Sequence, residues 1–204
     1  MIPFTLNIAL DNLCKNEFDY YRERQEPHPL FKEHDIDAIP FAHPDIDDWR
    51  NNFKGIRYKD NEKNYNFGGA IDDVWIKPNG DLIISDVKAT SKKVFNWEET
   101  KKMPWGQGYK RQLEMYQWLF RKNGFKVASE AYLLYFNGLK DEPFFKQSMK
   151  FELQVVKLEC DDSWVEAKII EAVNLLESGD FPKGSESCED CNYLRKRWQV
   201  SQDT

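Results

Sequence analysis

Three polar residues invite a chemical reading when taken together: Asp72, Asp86 and Lys88. They belong to the stretch Phe67-Gly68-Gly69-Ala70-Ile71-Asp72-Asp73-Val74-Trp75-Ile76, a turn at Lys77-Pro78-Asn79-Gly80, and Asp81-Leu82-Ile83-Ile84-Ser85-Asp86-Val87-Lys88. Two neighbouring carboxylates resist joint ionisation unless a cation lies between them. Oxygen donors that leave water positions open suit Mg²⁺ or Mn²⁺. Such an ion polarises a phosphoryl oxygen and lowers the pKa of a water. A lysine alongside can stabilise charge developing on phosphate or help orient the water. A lone D-x-K triplet also fits a solvated surface hairpin, so the surrounding elements decide the reading.

Those elements can be read locally. An Asn-Gly pair between two β-rich runs is a strong hairpin signal. Side chains alternate along a strand, so Leu82, Ile84, Asp86 and Lys88 share one face, and Ala70, Asp72, Val74 and Ile76 share one on the partner. A hairpin paired about Asn79-Gly80 brings Asp72 near Asp86 and Lys88. Further on, residues 109–122 read as a helix that places Gln112 and Tyr116, four apart, on one face. Leu113, Trp118, Leu119 and Phe120 supply its core contacts, and Gly124 can end it.

The ordered set Gly69-Ala70-Ile71-Asp72, Asp86-Val87-Lys88 and Gln112-Leu113-Glu114-Met115-Tyr116 resembles the PD-(D/E)XK nuclease superfamily. It is most similar to the RecB-type exonuclease branch, whose pattern is G-x-x-D, D-x-K and Q-x-x-x-Y in that order. The resemblance covers about residues 60–136 well and the flanks loosely. It implies an α/β fold with a restriction-endonuclease-like core, a central mixed β-sheet flanked by helices. It implies that Asp72 and Asp86 ligate Mg²⁺ or Mn²⁺, that Lys88 is the catalytic lysine, and that Gln112 and Tyr116 face the site and the nucleic-acid strand. The implied activity is hydrolysis of DNA phosphodiester bonds, as an exonuclease on single strands or ends, in repair, recombination or defence. The alternative is a non-catalytic module on the same fold that binds nucleic acid or a protein partner.

With 204 residues, the chain is long enough for one domain with a sizeable core. A hydrophobic share of 41% with 15% aromatics argues for a globular rather than a disordered chain. No run is long enough to span a bilayer. The N-terminus lacks a basic region followed by an apolar stretch, and Asp11 interrupts the one candidate, so no signal peptide is expected. Four cysteines without a secretion signal point to reduced thiols or a metal site, and to a cytoplasmic location. The net charge of −6 argues against coating nucleic acid through bulk charge. Residues 86–126 run the other way, with ten lysines and arginines against four acids. Lys92, Lys93, Lys110 and Arg111 are therefore candidates for phosphate-backbone contacts. Phe95, Trp97 and Trp105 in the same segment can stack on bases or pack on the body.

Upstream, residues 5–24 read as a helix with Leu6, Leu10, Leu13 and Tyr21 in an approximate stripe. Residues 26–48 read as a long connection, because Pro27, Pro29, Pro40 and Pro44 restrict helix formation. This stretch holds all three histidines. Many relatives carry an upstream His or Glu ligand, for which His43 is the candidate. A first short strand is expected at 56–58, and further strands at 128–136 and 151–158. Residues 89–105 read as a loop with a short helical turn. Ser163-Trp164-Val165-Glu166 is a capping-box pattern that opens a helix ending near Gly179.

In the tail, Cys188-Glu189-Asp190-Cys191 forms a C-x-x-C knuckle suited to metal chelation. Some RecB-type exonucleases, including CRISPR-associated adaptation nucleases, hold a four-iron cluster with one N-terminal and three C-terminal cysteines. Cys14, Cys188 and Cys191 match three of those ligands. Leu194, Arg195, Lys196 and Arg197 stand where the fourth would fall. The resemblance thus leaves open a vestigial site with free thiols, a zinc site completed by Cys160 or a histidine, an iron–sulfur cluster, or a clamp for a protein partner. The expected organisation is a single domain over 1–204, its N-terminal helix packed with the tail from about 180 to 204.

Overall fold

The computed structural model describes residues 5–93 and 96–202. The described residues fall into two compact units divided after Val165. The first opens with helix α1 (Thr5–Arg24), over the span that the leucine and tyrosine spacing predicts. The proline-rich connection is more ordered than expected, holding α2 (Pro29–Glu33) and the short strand β1 (Ile39–Pro40). Pro29 stands at the start of α2, where its missing N–H is no loss. His28 caps that helix, its Nδ1 accepting from Leu30 N at 3.1 Å. Pro40 lies on an edge strand, where proline is tolerated.

Next come α3 (Ile46–Arg50), β2 (Ile56–Asp60) and β3 (Tyr65–Gly69). Strands β2 and β3 form a separate two-stranded antiparallel sheet. The expected continuous strand through Asp72 is therefore broken: β3 ends at Gly69, and β4 (Asp73–Ile76) starts in the main sheet. The break at residues 70–72 is pinned from α3, where Trp49 O accepts from Ile71 N at 3.1 Å and Arg50 Nε donates to Asp72 O at 3.1 Å.

The main sheet has the order β1-β4-β5-β6-β7, with β5 (Leu82–Thr90), β6 (Val127–Gly138) and β7 (Phe151–Glu159). Strands β4 and β5 pair antiparallel, with Asp73 opposite Ser85 and Ile76 opposite Leu82. Their turn is wider than the two-residue turn that an Asn-Gly pair signals: Lys77 faces Asp81 across Pro78-Asn79-Gly80, and of Asn79 and Gly80 only Gly80 has a positive φ. Gly80 adopts φ +86°, Gly80 N donates to Lys77 O at 2.9 Å, and Lys77 N donates to Asp81 O at 3.0 Å. Strand β6 runs parallel to β5 and antiparallel to β7, which makes the sheet mixed. A parallel pair needs a long crossover, here carried by α4 (Trp97–Thr100) and α5 (Pro104–Lys122). Helix α5 starts five residues earlier than the sequence suggests, with Pro104 in its first turn.

The central strand β5 is buried from Leu82 through Asp86, as expected for a strand covered on both faces. On one face Ile83 packs with Trp75, Leu134, Phe18 and Phe31 in the core shared with α1 and α2. Each such side chain contributes about 1.5–3 kcal/mol by leaving water. Ile84, Asp86 and Lys88 alternate onto the opposite face, where α5 lies.

The second unit holds α6 (Val165–Ser178) apart from its first residue, and α7 (Glu189–Gln202). Helix α6 stops before Gly179, which adopts φ +72°. No helix among the described residues is long and apolar enough to cross a membrane.

Candidate active site

Asp72 sits at the break before β4, opposite the D-x-K segment of β5. Its Oδ2 accepts from Val87 N at 2.7 Å, which pins this carboxylate between Asp86 and Lys88. Lys88 Nζ lies 2.5 Å from Asp86 Oδ2 as an ion pair. Asp86 is only 2% exposed. Burial, followed by the nearby Asp72 carboxylate, pushes its carboxyl up to about 7, with Lys88 pulling the other way. Asp72 is also raised, by burial and Asp11, with the Val87 N–H opposing. The expected convergence of Asp72, Asp86 and Lys88 is thus present.

Helix α5 brings its own face to this cluster. Gln112 Nε2 donates to Tyr116 Oη at 2.7 Å. The Tyr116 phenol is pushed up to about 12, chiefly by burial, with Asp86 and Asp72 adding to the effect. Gly69 makes room for this ring: a Cβ there would lie 2.6 Å from Tyr116 Cε1. Tyr109, one turn before Gln112, holds its ring 5.1 Å from Lys88 Nζ. Sequence reasoning missed Tyr109, although its spacing of three and seven from Gln112 and Tyr116 already puts it on their face.

Two α1 residues were also missed. Lys15 Nζ lies 2.6 Å from Asp11 Oδ2 and 3.8 Å from Asp72 Oδ1, so α1 contributes a cation and a further acid beside the site. Asp11 Oδ1 is buried without a hydrogen-bond partner. The only signal in the sequence was a charged i, i+4 pair on the helix. The proposed upstream residue, His43, stacks on Trp49 at 4.4 Å with a 19° interplanar angle, and its Nδ1 accepts from Asp45 N.

Asp73, adjacent to Asp72, has a different environment. Its Oδ1 accepts from Arg22 Nη2 at 2.5 Å, Arg50 Nη2 at 3.1 Å and Val74 N at 2.7 Å. Arg50 also grips both oxygens of Asp19, and Arg22 Nε reaches Asp19 Oδ1. Asp73 thus belongs to a buried structural network that ties α1 and α3 to the sheet.

The expected phosphate-contact residues separate into two groups. Lys92 Nζ lies 3.9 Å over the Trp105 ring, and Lys93 is exposed. Lys110 and Arg111 line a groove of about 760 Å³ with Trp97, Lys101, Lys102 and Glu114. Lys110 Nζ is 3.6 Å from Glu114 Oε1, whereas Arg111 is exposed. Trp97 packs edge-on to Tyr135, and Phe95 lies outside the described residues.

All four cysteines carry free thiols. Burial, aided by Asp11, pushes the Cys14 thiol up to about 12; burial, aided by Glu114, does the same to Cys160. In the second unit Cys188 Sγ accepts from Cys191 N at 3.5 Å.

The donor set fits a divalent cation. Two hard carboxylates stand in mutual repulsion at a buried site, with the orphaned Asp11 Oδ1 on the neighbouring helix. Among the described residues no three Cys, His, Asp or Glu side chains form a ready metal cage, so water and phosphate oxygens would complete the coordination.

No curated protein matches the chain significantly. A protein-family comparison does, over residues 6–195, running across the division after Val165. Members of the matched family are generally nucleases that use divalent metals. With Asp86 and Lys88 on a hairpin strand, Asp72 at the break beside it, a Gln-x-x-x-Tyr helix alongside, and nearly the whole length matched, the chain belongs to the PD-(D/E)XK nuclease superfamily.

Proposed function

We propose that this protein is a metal-dependent nuclease that hydrolyses DNA phosphodiester bonds, an exonuclease of RecB type acting in repair, recombination or defence. The observation that carries this reading is the Val87 N–H to Asp72 bond, which holds one carboxylate between Asp86 and Lys88. Asp72 and Asp86 would hold Mg²⁺ or Mn²⁺. When bound, such an ion would polarise a phosphoryl oxygen and lower the pKa of a nearby water. Lys88 then places positive charge where it builds on the phosphate, and Tyr109 limits its swing. Gln112 orients phosphate or water, with Tyr116 fixing its amide. The extent of the family match supports reading both units as one nuclease-like domain.

One observation favours the alternative of a non-catalytic binding module. Lys15 already stands near Asp72, and Lys88 against Asp86, so two lysines offset part of the acid charge. End-labelled single- and double-stranded DNA, incubated with Mg²⁺ or Mn²⁺, separates the two readings. The nuclease reading expects cleavage by the wild type, with a loss of at least about 10²-fold in Asp86→Ala and Lys88→Ala while DNA affinity persists. A stepwise ladder from one end identifies exonuclease action. DNA binding by the wild type without cleavage under either metal would establish the binding module instead.

A further inference from the structure

Between β6 and β7 the chain extends an arm of twelve residues, 139–150. Leu139 N donates to Lys150 O at 2.9 Å, continuing the strand pairing into the base of the arm. Lys146 and Gln147 at its tip adopt φ +45° and +56°, a left-handed conformation that costs ordinary residues energy. Beside them stand Phe144 and Phe145, 71% and 73% exposed. Two adjacent phenylalanines this exposed add little to a core. They bound a hollow of about 340 Å³ together with Leu139 and Met149.

The root of the arm is fastened to the residues that directly follow the strand carrying Asp86 and Lys88. Lys140 Nζ donates to Ser91 O at 3.2 Å, and Ser91 Oγ donates to Gly138 O at 2.9 Å. Asn137 and Lys92 exchange two hydrogen bonds, at 2.8 and 3.2 Å. Ser91 is three residues past Lys88, about 10 Å along an extended chain. The arm carries Lys140, Lys146 and Lys150 against Asp141 and Glu142, a positive excess in a chain of net charge −6. Lys146 Nζ lies 5.9 Å from the Phe144 ring. Exposed rings among lysines, continuous with a phosphodiester-cleaving site, match the needs of a flexible polyanion with open base faces. A duplex keeps its base faces stacked internally and offers the rings little.

Building on the nuclease reading, we propose that the β6–β7 arm is a stacking clamp for unpaired bases. Phe144 and Phe145 receive bases of a single strand whose backbone runs toward Asp72, Asp86 and Lys88. The clamp makes single-stranded DNA, or a frayed end, the preferred substrate.

The test is fluorescence anisotropy in EDTA, where no cleavage intervenes, on the full chain. The probes are a labelled 20-mer of thymidylate, a fully abasic 20-mer of equal charge, and a 20-base-pair duplex. The wild type should bind the thymidylate strand at least about tenfold tighter than the abasic strand, and tighter than the duplex. Phe144→Ala/Phe145→Ala should erase that advantage, leaving affinity for the abasic strand unchanged. Phe53→Ala, which removes a phenylalanine 91% exposed elsewhere, should change neither. Equal binding of thymidylate and abasic strands by the wild type, absence of binding to both, or a double variant indistinguishable from the wild type overturns the clamp. Cleavage measured separately keeps the two readings apart. Metal-dependent cleavage with an unaffected double variant removes only the clamp. Loss of base-dependent binding in that variant supports the clamp, even where the wild type cuts nothing and the catalytic reading falls.

Discussion

Asp72 and Asp73 are neighbours in sequence but should respond in opposite ways to alanine. Asp73 is 3% exposed, and its Oδ1 holds two guanidinium groups, of Arg22 and Arg50, whose side chains are each 7% exposed. Asp73→Ala leaves both cations buried, with Asp19, a partner of each, as the remaining acid. Breaking a buried pair from one side costs about 3–5 kcal/mol. That is a large share of the roughly 5–15 kcal/mol that holds a typical domain together. Asp72→Ala forfeits one hydrogen bond, worth about 0.5–1.5 kcal/mol net, and a 3.8 Å contact with Lys15, which keeps its nearer partner Asp11, while relieving repulsion with Asp86. Its net effect should be within about 1 kcal/mol of zero. For a chain of this length, the melting temperature should fall by roughly 6–20 °C in Asp73→Ala and by at most a few degrees in Asp72→Ala. Circular dichroism melts in EDTA, paired with urea titrations, measure both variants, and the DNA cleavage assay is run alongside. Asp72→Ala should be folded and inactive. An Asp73→Ala protein with the wild-type melting temperature and urea midpoint would refute the assignment of Asp73 to a structural network.

Two further outcomes follow from the site. Asp86 has a folded pKa of about 7 against an ordinary value of 3.8, so the folded protein keeps a proton that the unfolded chain releases between those values. Its contribution to stability is therefore full below about pH 4 and is lost as pH rises toward about 7. In EDTA the melting temperature should fall between pH 5 and pH 8, and Mn²⁺ should raise it more at pH 8; Asp86→Asn should flatten both trends, and an unchanged slope in that variant would exclude Asp86 as the source. Gly69→Ala drives a methyl group into the Tyr116 ring, at 2.6 Å before any shift. It should cost about 1–3 kcal/mol by overpacking, read as a lower urea midpoint, and about 10²-fold in cleavage by displacing Tyr116 and Gln112; full activity would mean the ring has no positioning role.

Much of the hairpin was legible because its rules are local. The Asn79-Gly80 pair marks the hairpin and strict side-chain alternation puts Asp86 and Lys88 on one face, whereas the wider turn through Pro78-Asn79-Gly80 sets the register that, extrapolated from β4, places Asp72 opposite Asp86. Gln112 and Tyr116 follow in the same way from helical spacing, and their hydrogen bond is observed. The mixed sheet was also readable, since two β-rich runs separated by a helix require a crossover while those joined by a turn do not. Element edges were less clear. Tertiary contacts from Trp49 and Arg50 shape the break at 70–72, and Pro29 could open a helix once His28 capped it.

The sequence alone therefore determined the chemistry on offer: two acids and a lysine in and beside a hairpin, with a glutamine and tyrosine on the helix that follows. The tertiary structure decided how each group is used. It paired Asp73 with arginines 51 and 23 residues away, brought Lys15 and Asp11 to Asp72, and set Tyr109 beside Lys88. It also anchored the Phe144–Phe145 arm to Ser91 through a bond 49 residues long in sequence. Periodicity reports only which way a side chain leaves its own strand or helix. What it meets there depends on how distant elements pack, and the burial arising from that packing raises the Asp86 carboxyl to about 7.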